Sequence, residues 1–152
     1  MTKFLSKISL SLVILLSCGS LRTDNKYDIS YDGILRKEIQ RLELRNQDRI
    51  ADVVRTNILP EHYSDILVLI KLESNGDSLA YSQGNYGLMQ INQVHLNKAR
   101  RDSIYHLDFN LRLGYELYKK ARDEDYANRF ACYNRSHLKY RYQQQAYKLL
   151  GD

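Results

Sequence analysis

Glu73 closes a run of apolar residues, Ile66, Leu67, Val68, Leu69, Ile70 and Leu72, and is followed by "SNGDSLAYSQGNYGLMQIN". Burial raises a carboxyl pKa because the charged form loses its hydration, and a glutamic acid in an apolar pocket can titrate near pH ~6. A carboxyl that keeps its proton at neutral pH can act as a general acid, a role that contributes roughly 10² to 10⁴ in rate. Cleavage of a glycosidic bond is one reaction that needs such a group. Spacing alone leaves a second reading open, in which Glu73 caps the helix and faces water.

The other reactive side chains carry weaker patterns. Cys132, in "RFACYNRS", could be a nucleophile, but a small buried hydrophobe on a helix is the expected reading. His62, His95, His106 and His137 lack the spacing of a zinc motif such as H-E-x-x-H, so structural roles are expected and no metal. No phosphate-cradling loop or nucleotide motif is present, and no cofactor is expected. Thirteen tyrosines, three phenylalanines and no tryptophan supply aromatic surface with polar handles, suited to sugars, interfaces or a core with satisfied hydroxyls.

Positioning Glu73 requires a buried helix and a loop that folds over its end. Pro60 suits the first turn of that helix, Glu61 lies near its positive end, and "NGD" stops it near Ser74. Residues 79–92 read as a loop or short strands with glycines at the turns. Upstream, Ile34, Leu35, Ile39, Leu42, Ile50, Val53 and Val54 form a one-sided apolar stripe, predicting one long helix over 34–57. Further helices are expected over 93–101, 108–122, 127–134 and 138–150. The fold class is therefore mainly α, a single helical domain with a small irregular or β element after the helix that bears Glu73.

The ends and the charge bound the setting. Lys3 and Lys7 precede a short apolar stretch over residues 8–16, and small residues bracket Cys18. This reads as an export signal, too short for a membrane-spanning helix of roughly 20 residues. The segment "LLSC" resembles a bacterial lipoprotein signal, which implies removal of residues 1–17 and lipid on Cys18. Ordinary signal-peptidase cleavage is the alternative. Residues 18–33 read as a polar tether between this membrane anchor and the domain. Loss of Lys3 and Lys7 lowers the net charge from +5 to +3, consistent with work near an anionic polymer. No nucleic-acid-binding motif accompanies it, so no nucleic acid is expected as a partner.

Taken in order, Glu73 and Ser74, then Ser82, Gly84 and Gly87-Leu88-Met89-Gln90, then Tyr133-Asn134, resemble the lytic transglycosylase domain of the soluble lytic transglycosylase, goose-lysozyme-like type. Asp108, Asn110, Leu111 and Gly114 fall in that family's helix pattern. The resemblance spans about residues 60–150 and implies a lysozyme-like α+β domain over 58–152 acting on peptidoglycan glycan strands. It implies Glu73 as sole catalytic acid and base, and Ser82, Met89, Gln90, Tyr133 and Asn134 as substrate-binding residues. Gly87 would let the loop approach the helix end. The implied reaction cleaves the MurNAc–GlcNAc β-1,4 bond and closes a 1,6-anhydro ring. A muramidase using Asp77 or a positioned water, and a non-catalytic wall-binding lipoprotein, are the competing readings. The chain departs from the family pattern at Asn75, Gly76, Ser78 and Ser136, all of which bear on groove shape. Arg135, beside the Tyr-Asn pair, is a candidate contact for a peptide-stem carboxylate.

Overall fold

The computed structural model describes residues 26–97 and 102–151. The expected export signal, Cys18 and the first part of the tether lie outside the described residues. Among the described residues, six α-helices and a three-stranded antiparallel sheet make a mainly α fold. Helices α1 (Lys26–Arg41) and α2 (Gln47–Asn57) are followed by a short 3-10 turn, Pro60–His62, and by α3 (Tyr63–Glu73). Strands β1 (Tyr81–Ser82), β2 (Asn85–Tyr86) and β3 (Ile91–Asn92) come next. Helices α4 (Leu107–Glu124), α5 (Arg129–Asn134) and α6 (Lys139–Leu150) complete the order.

The sequence of α3 explains its central place. Ile66, Leu67, Val68, Leu69 and Ile70 are all fully buried, so every side of the helix is covered, as an all-apolar helix requires. Neighbouring helices α1 and α6 pack directly against it. The core extends to Leu35 and Ile39 of α1, Ile50 and Val54 of α2, Leu111 and Tyr118 of α4, and Phe130 of α5.

Two sequence expectations need correction. The stripe over 34–57 is two helices rather than one, and α1 begins at Lys26, inside the segment read as a tether. Between them the chain turns through Glu43 and Asn46, both at positive φ, so that Leu42 and Leu44 enter the core. The corner lays α1 against α3 and turns α2 onto α1 and α4. Ile34, counted in that stripe, is 49% exposed. In the described part of the helix expected over 93–101, the chain forms a 3-10 turn at Gln93–His95, where the Asn92 side chain accepts from the Val94 N–H at 3.1 Å; residues 98–101 are not described.

The α1–α2 corner also braces the end of α3. The Arg45 N–H donates to the Asn75 carbonyl at 3.0 Å, and the Asn46 side chain donates to the Gly76 carbonyl at 3.0 Å. A Cβ on Gly76, which has φ +83, would lie 2.5 Å from the Arg45 carbonyl oxygen, so only glycine allows this approach. The corner therefore fixes where α3 stops.

Candidate functional site

Glu73 is the last residue of α3, at the negative end of the helix dipole. Its side chain is partly exposed, opening on a cleft, while protein surrounds most of the carboxyl. Burial raises its pKa to about 7, outweighing a hydrogen bond from Tyr142 that lowers it. The Tyr142 hydroxyl donates to Oε1 at 2.7 Å from helix α6, 69 residues away. The result is a carboxyl that holds its proton in a substantial fraction of molecules at neutral pH.

Ser74 and Asn110 hold the glycine-rich loop against this helix end. The Ser74 hydroxyl donates to the Leu88 carbonyl at 2.8 Å and accepts from the Gly76 N–H at 3.2 Å. Asn110, buried on α4, accepts from the Met89 N–H at 2.7 Å. Its amide donates to the carbonyls of Tyr86 at 2.8 Å and Ile104 at 2.9 Å. A buried backbone group left unpaired is costly, so these bonds fix the loop's path. Close packing does the rest. A Cβ on Gly87 would lie 2.4 Å from the Asn110 amide nitrogen, and one on Gly114 would lie 2.6 Å from the Met89 Cβ.

Met89 is consequently a core residue: its side chain is fully buried against Gly114, which removes it from the expected groove lining. Only its carbonyl reaches toward the site, where it accepts from the Tyr133 hydroxyl at 3.0 Å. Tyr133 thus bonds the loop rather than Glu73, although burial first and the Glu73 charge second raise its pKa. Gln90 has a positive φ, and its amide donates to the carbonyls of Ala80 at 3.1 Å and Gly87 at 3.0 Å. Asn134 orders the turn after α5, accepting from the N–H of Ser136 at 3.2 Å and from its hydroxyl.

Glu73 opens on a cleft of about 570 Å³ and is the one carboxylate among its described lining residues. That volume falls within the ~300–1,000 Å³ of ligand sites. Gln90, Tyr133 and Asn134 line it, together with Asn85, Asn92 and Lys120. Ser82 shares a sheet register with Asn85 and Asn92 but is exposed and does not line the cleft. The Asn92 amide donates to Asn85 at 2.8 Å, so the sheet presents a polar pair that the sequence reading did not single out. Cys132 also lines the cleft. Arg135 is already paired with Glu124, which weakens the idea that it awaits a carboxylate.

Tyr142 was missed as well. Its signal was faint but present: Tyr142, Ala146, Leu149 and Leu150 recur at helical spacing on the inward face of α6. Asp77 stands apart from the cleft-lining residues. It pairs with Arg45 at 3.7 Å and accepts from the Leu79 N–H at 2.9 Å. Among the described residues, no group of three or more His, Cys, Asp or Glu side chains could hold a metal ion. The arrangement can give and take one proton at a single carboxyl, in a cleft lined by both polar and apolar side chains.

No protein-family model matches this chain, and no curated protein or solved structure is similar enough to it to count as a match.

Proposed function

We propose that this chain is a peptidoglycan lytic transglycosylase with a lysozyme-like domain, in which Glu73 acts first as acid and then as base. The observation that carries the reading is Glu73 itself: the one carboxylate among the described cleft residues, with its pKa raised to about 7. Glu73 gives its proton to the oxygen leaving the MurNAc–GlcNAc β-1,4 bond. As that bond breaks, the N-acetyl group of the sugar on the MurNAc side stabilises the developing cation at its anomeric carbon. The resulting Glu73 carboxylate takes the proton of the MurNAc 6-hydroxyl. The hydroxyl oxygen bonds to the anomeric carbon, closing a 1,6-anhydro ring and restoring protonated Glu73 without water.

Tyr142 suits both halves of this cycle. It occupies Oε1, leaving Oε2 for the exchanged proton, and its hydrogen bond supports the carboxylate formed midway. A hydrolase on the same scaffold would normally use two carboxyls, roughly 5 to 9.5 Å apart. Asp77, its candidate second acid, is engaged by Arg45 and Leu79. The same reading places the chain at the cell wall, exported and membrane-anchored through lipid on Cys18, with glycan strands as its partner. Digestion of purified peptidoglycan followed by mass spectrometry tests it. Anhydro-muropeptides support it, reducing-end MurNAc favours the hydrolase, and a wild type without activity favours a wall-binding protein.

A further inference from the structure

Helix α6 is basic and carries no acid of its own. Residues 126–151 contain Arg129, Arg135, Lys139, Arg141 and Lys148 but no Asp or Glu. Arg129 is taken by Asp65 and Arg135 by Glu124. Among the described residues, Lys139, Arg141 and Lys148 make no ion pair. The other long helices differ: Arg36, Arg41, Arg55, Arg112 and Lys119 each pair with an acid three or four residues away on the same helix.

The two faces of α6 have opposite character. Ala146 is buried, and Tyr142 and Tyr147 pack on the core beside it. Tyr140, Gln144 and Lys148 recur four residues apart on the exposed face, with Arg141 exposed next to them. Tyr140 is 63% exposed, and Leu138, just before the helix, is 51% exposed. The Lys139 ammonium lies 5.0 Å from the centre of the Tyr140 ring, so charge and aromatic surface are presented together.

We infer that this face of α6 docks on an anionic phospholipid bilayer. Lys139, Arg141 and Lys148 meet the lipid phosphates, while Leu138 and Tyr140 enter the interface, where a ring with a polar tip is stable. Charge complementarity alone would suit any polyanion; the exposed leucine and tyrosine among the cations select a partner with an apolar interior. The contact is peripheral, since among the described residues no helix is long and apolar enough to cross a membrane. It belongs to the folded domain and is separate from lipid on Cys18. Arg135 and Ser136 line the Glu73 cleft and immediately precede this face, so docking brings one wall of the cleft to the membrane surface.

The test sediments the unlipidated full-length chain with vesicles of phosphatidylcholine alone or with phosphatidylglycerol added. Residues 8–16 are apolar and common to every variant, so the readout is the preference for the anionic vesicles. Wild type should show that preference, and raising salt from ~0.1 to ~1 M should collapse it. Each Lys or Arg at such a surface is worth roughly five-fold in partitioning, so Lys139→Gln, Arg141→Gln and Lys148→Gln together should cut the preference by about ten-fold or more. Arg141→Lys should keep it. Leu138→Ser with Tyr140→Ser should weaken vesicle binding by about three-fold or more, yet leave binding to polyglutamate, a soluble polyanion, unchanged. None of these side chains is buried, so urea midpoints should match wild type. Equal binding to both vesicle types, or an undiminished preference in the triple variant, would overturn the inference. So would unchanged vesicle binding in the Leu138, Tyr140 pair, which would make the face a site for anionic polymers. Each of these results leaves the proposed function standing.

Discussion

At the scale of single residues, two opposed effects act on Glu73. Desolvation favours the neutral acid, and the Tyr142 hydrogen bond favours the ion; desolvation wins, giving a pKa of about 7. The folded state therefore binds this proton more tightly than the unfolded chain, whose carboxyl titrates near 4.5. Stability linked to the proton is fully present below about pH 4.5 and is lost as pH rises through 7. Glu73→Gln removes that loss. It should abolish cleavage, and it should stabilise the fold by about 2–3 kcal/mol at pH 8 but very little at pH 4, read by urea denaturation at both pH values. Tyr142→Phe removes the group that lowers the Glu73 pKa. The alkaline limb of the pH–rate profile should then move up, while kcat falls on the order of 10-fold because the carboxylate formed midway loses support. An unmoved limb would show that Tyr142 does not act on this proton.

At the scale of elements, the end of α3 is a meeting point. The α1–α2 corner fixes it from one side, and the loop from Gly84 to Asn92 is bolted to it through Ser74 and Asn110. Asn110→Ala would leave the Met89 N–H and the carbonyls of Tyr86 and Ile104 without their partner. A loss of about 3 kcal/mol is expected, with hydrogen exchange accelerated first in the loop. Much of this region could be read from the sequence: the buried helix, its stop after Glu73, and the glycine turns each carry a local signal. The corner at Leu42–Asn46 could not. The apolar stripe continues across it at helical spacing, and only the packing of α1 on α3 and of α2 on α1 and α4 requires the bend. Met89 was misplaced for a related reason. Its neighbours Leu88 and Gln90 point to a loop at the site, while its own side chain is taken inward by the space that Gly114 leaves, 25 residues on. Tyr142 and its partner Glu73 are 69 residues apart, so no local pattern joins them.

At the scale of the whole molecule, a second polar centre ties α3 to the C-terminal helices. Arg129 of α5 pairs with Asp65 of α3 through Nε and Nη2, the latter at 3.0 Å, and Tyr118 of α4 donates to the same carboxylate. Tyr147 of α6 stands 3.0 Å from the Arg129 guanidinium. Arg129 is nearly buried, so Arg129→Met would strand the Asp65 charge. A loss of about 3–5 kcal/mol is expected, seen as a lower urea midpoint. Because α5 and α6 carry Tyr133 and Tyr142, loosening this clamp should also lower activity before the chain unfolds globally.

The proposed reaction requires Glu73 to work alone. The most direct measurement is the mass of the muropeptides that the purified chain releases from peptidoglycan. One carboxyl working as acid and then base predicts 1,6-anhydro products, each one water lighter than its hydrolysed counterpart, and none from Glu73→Gln. Reducing-end MurNAc products, or anhydro products persisting in Glu73→Gln, would contradict it.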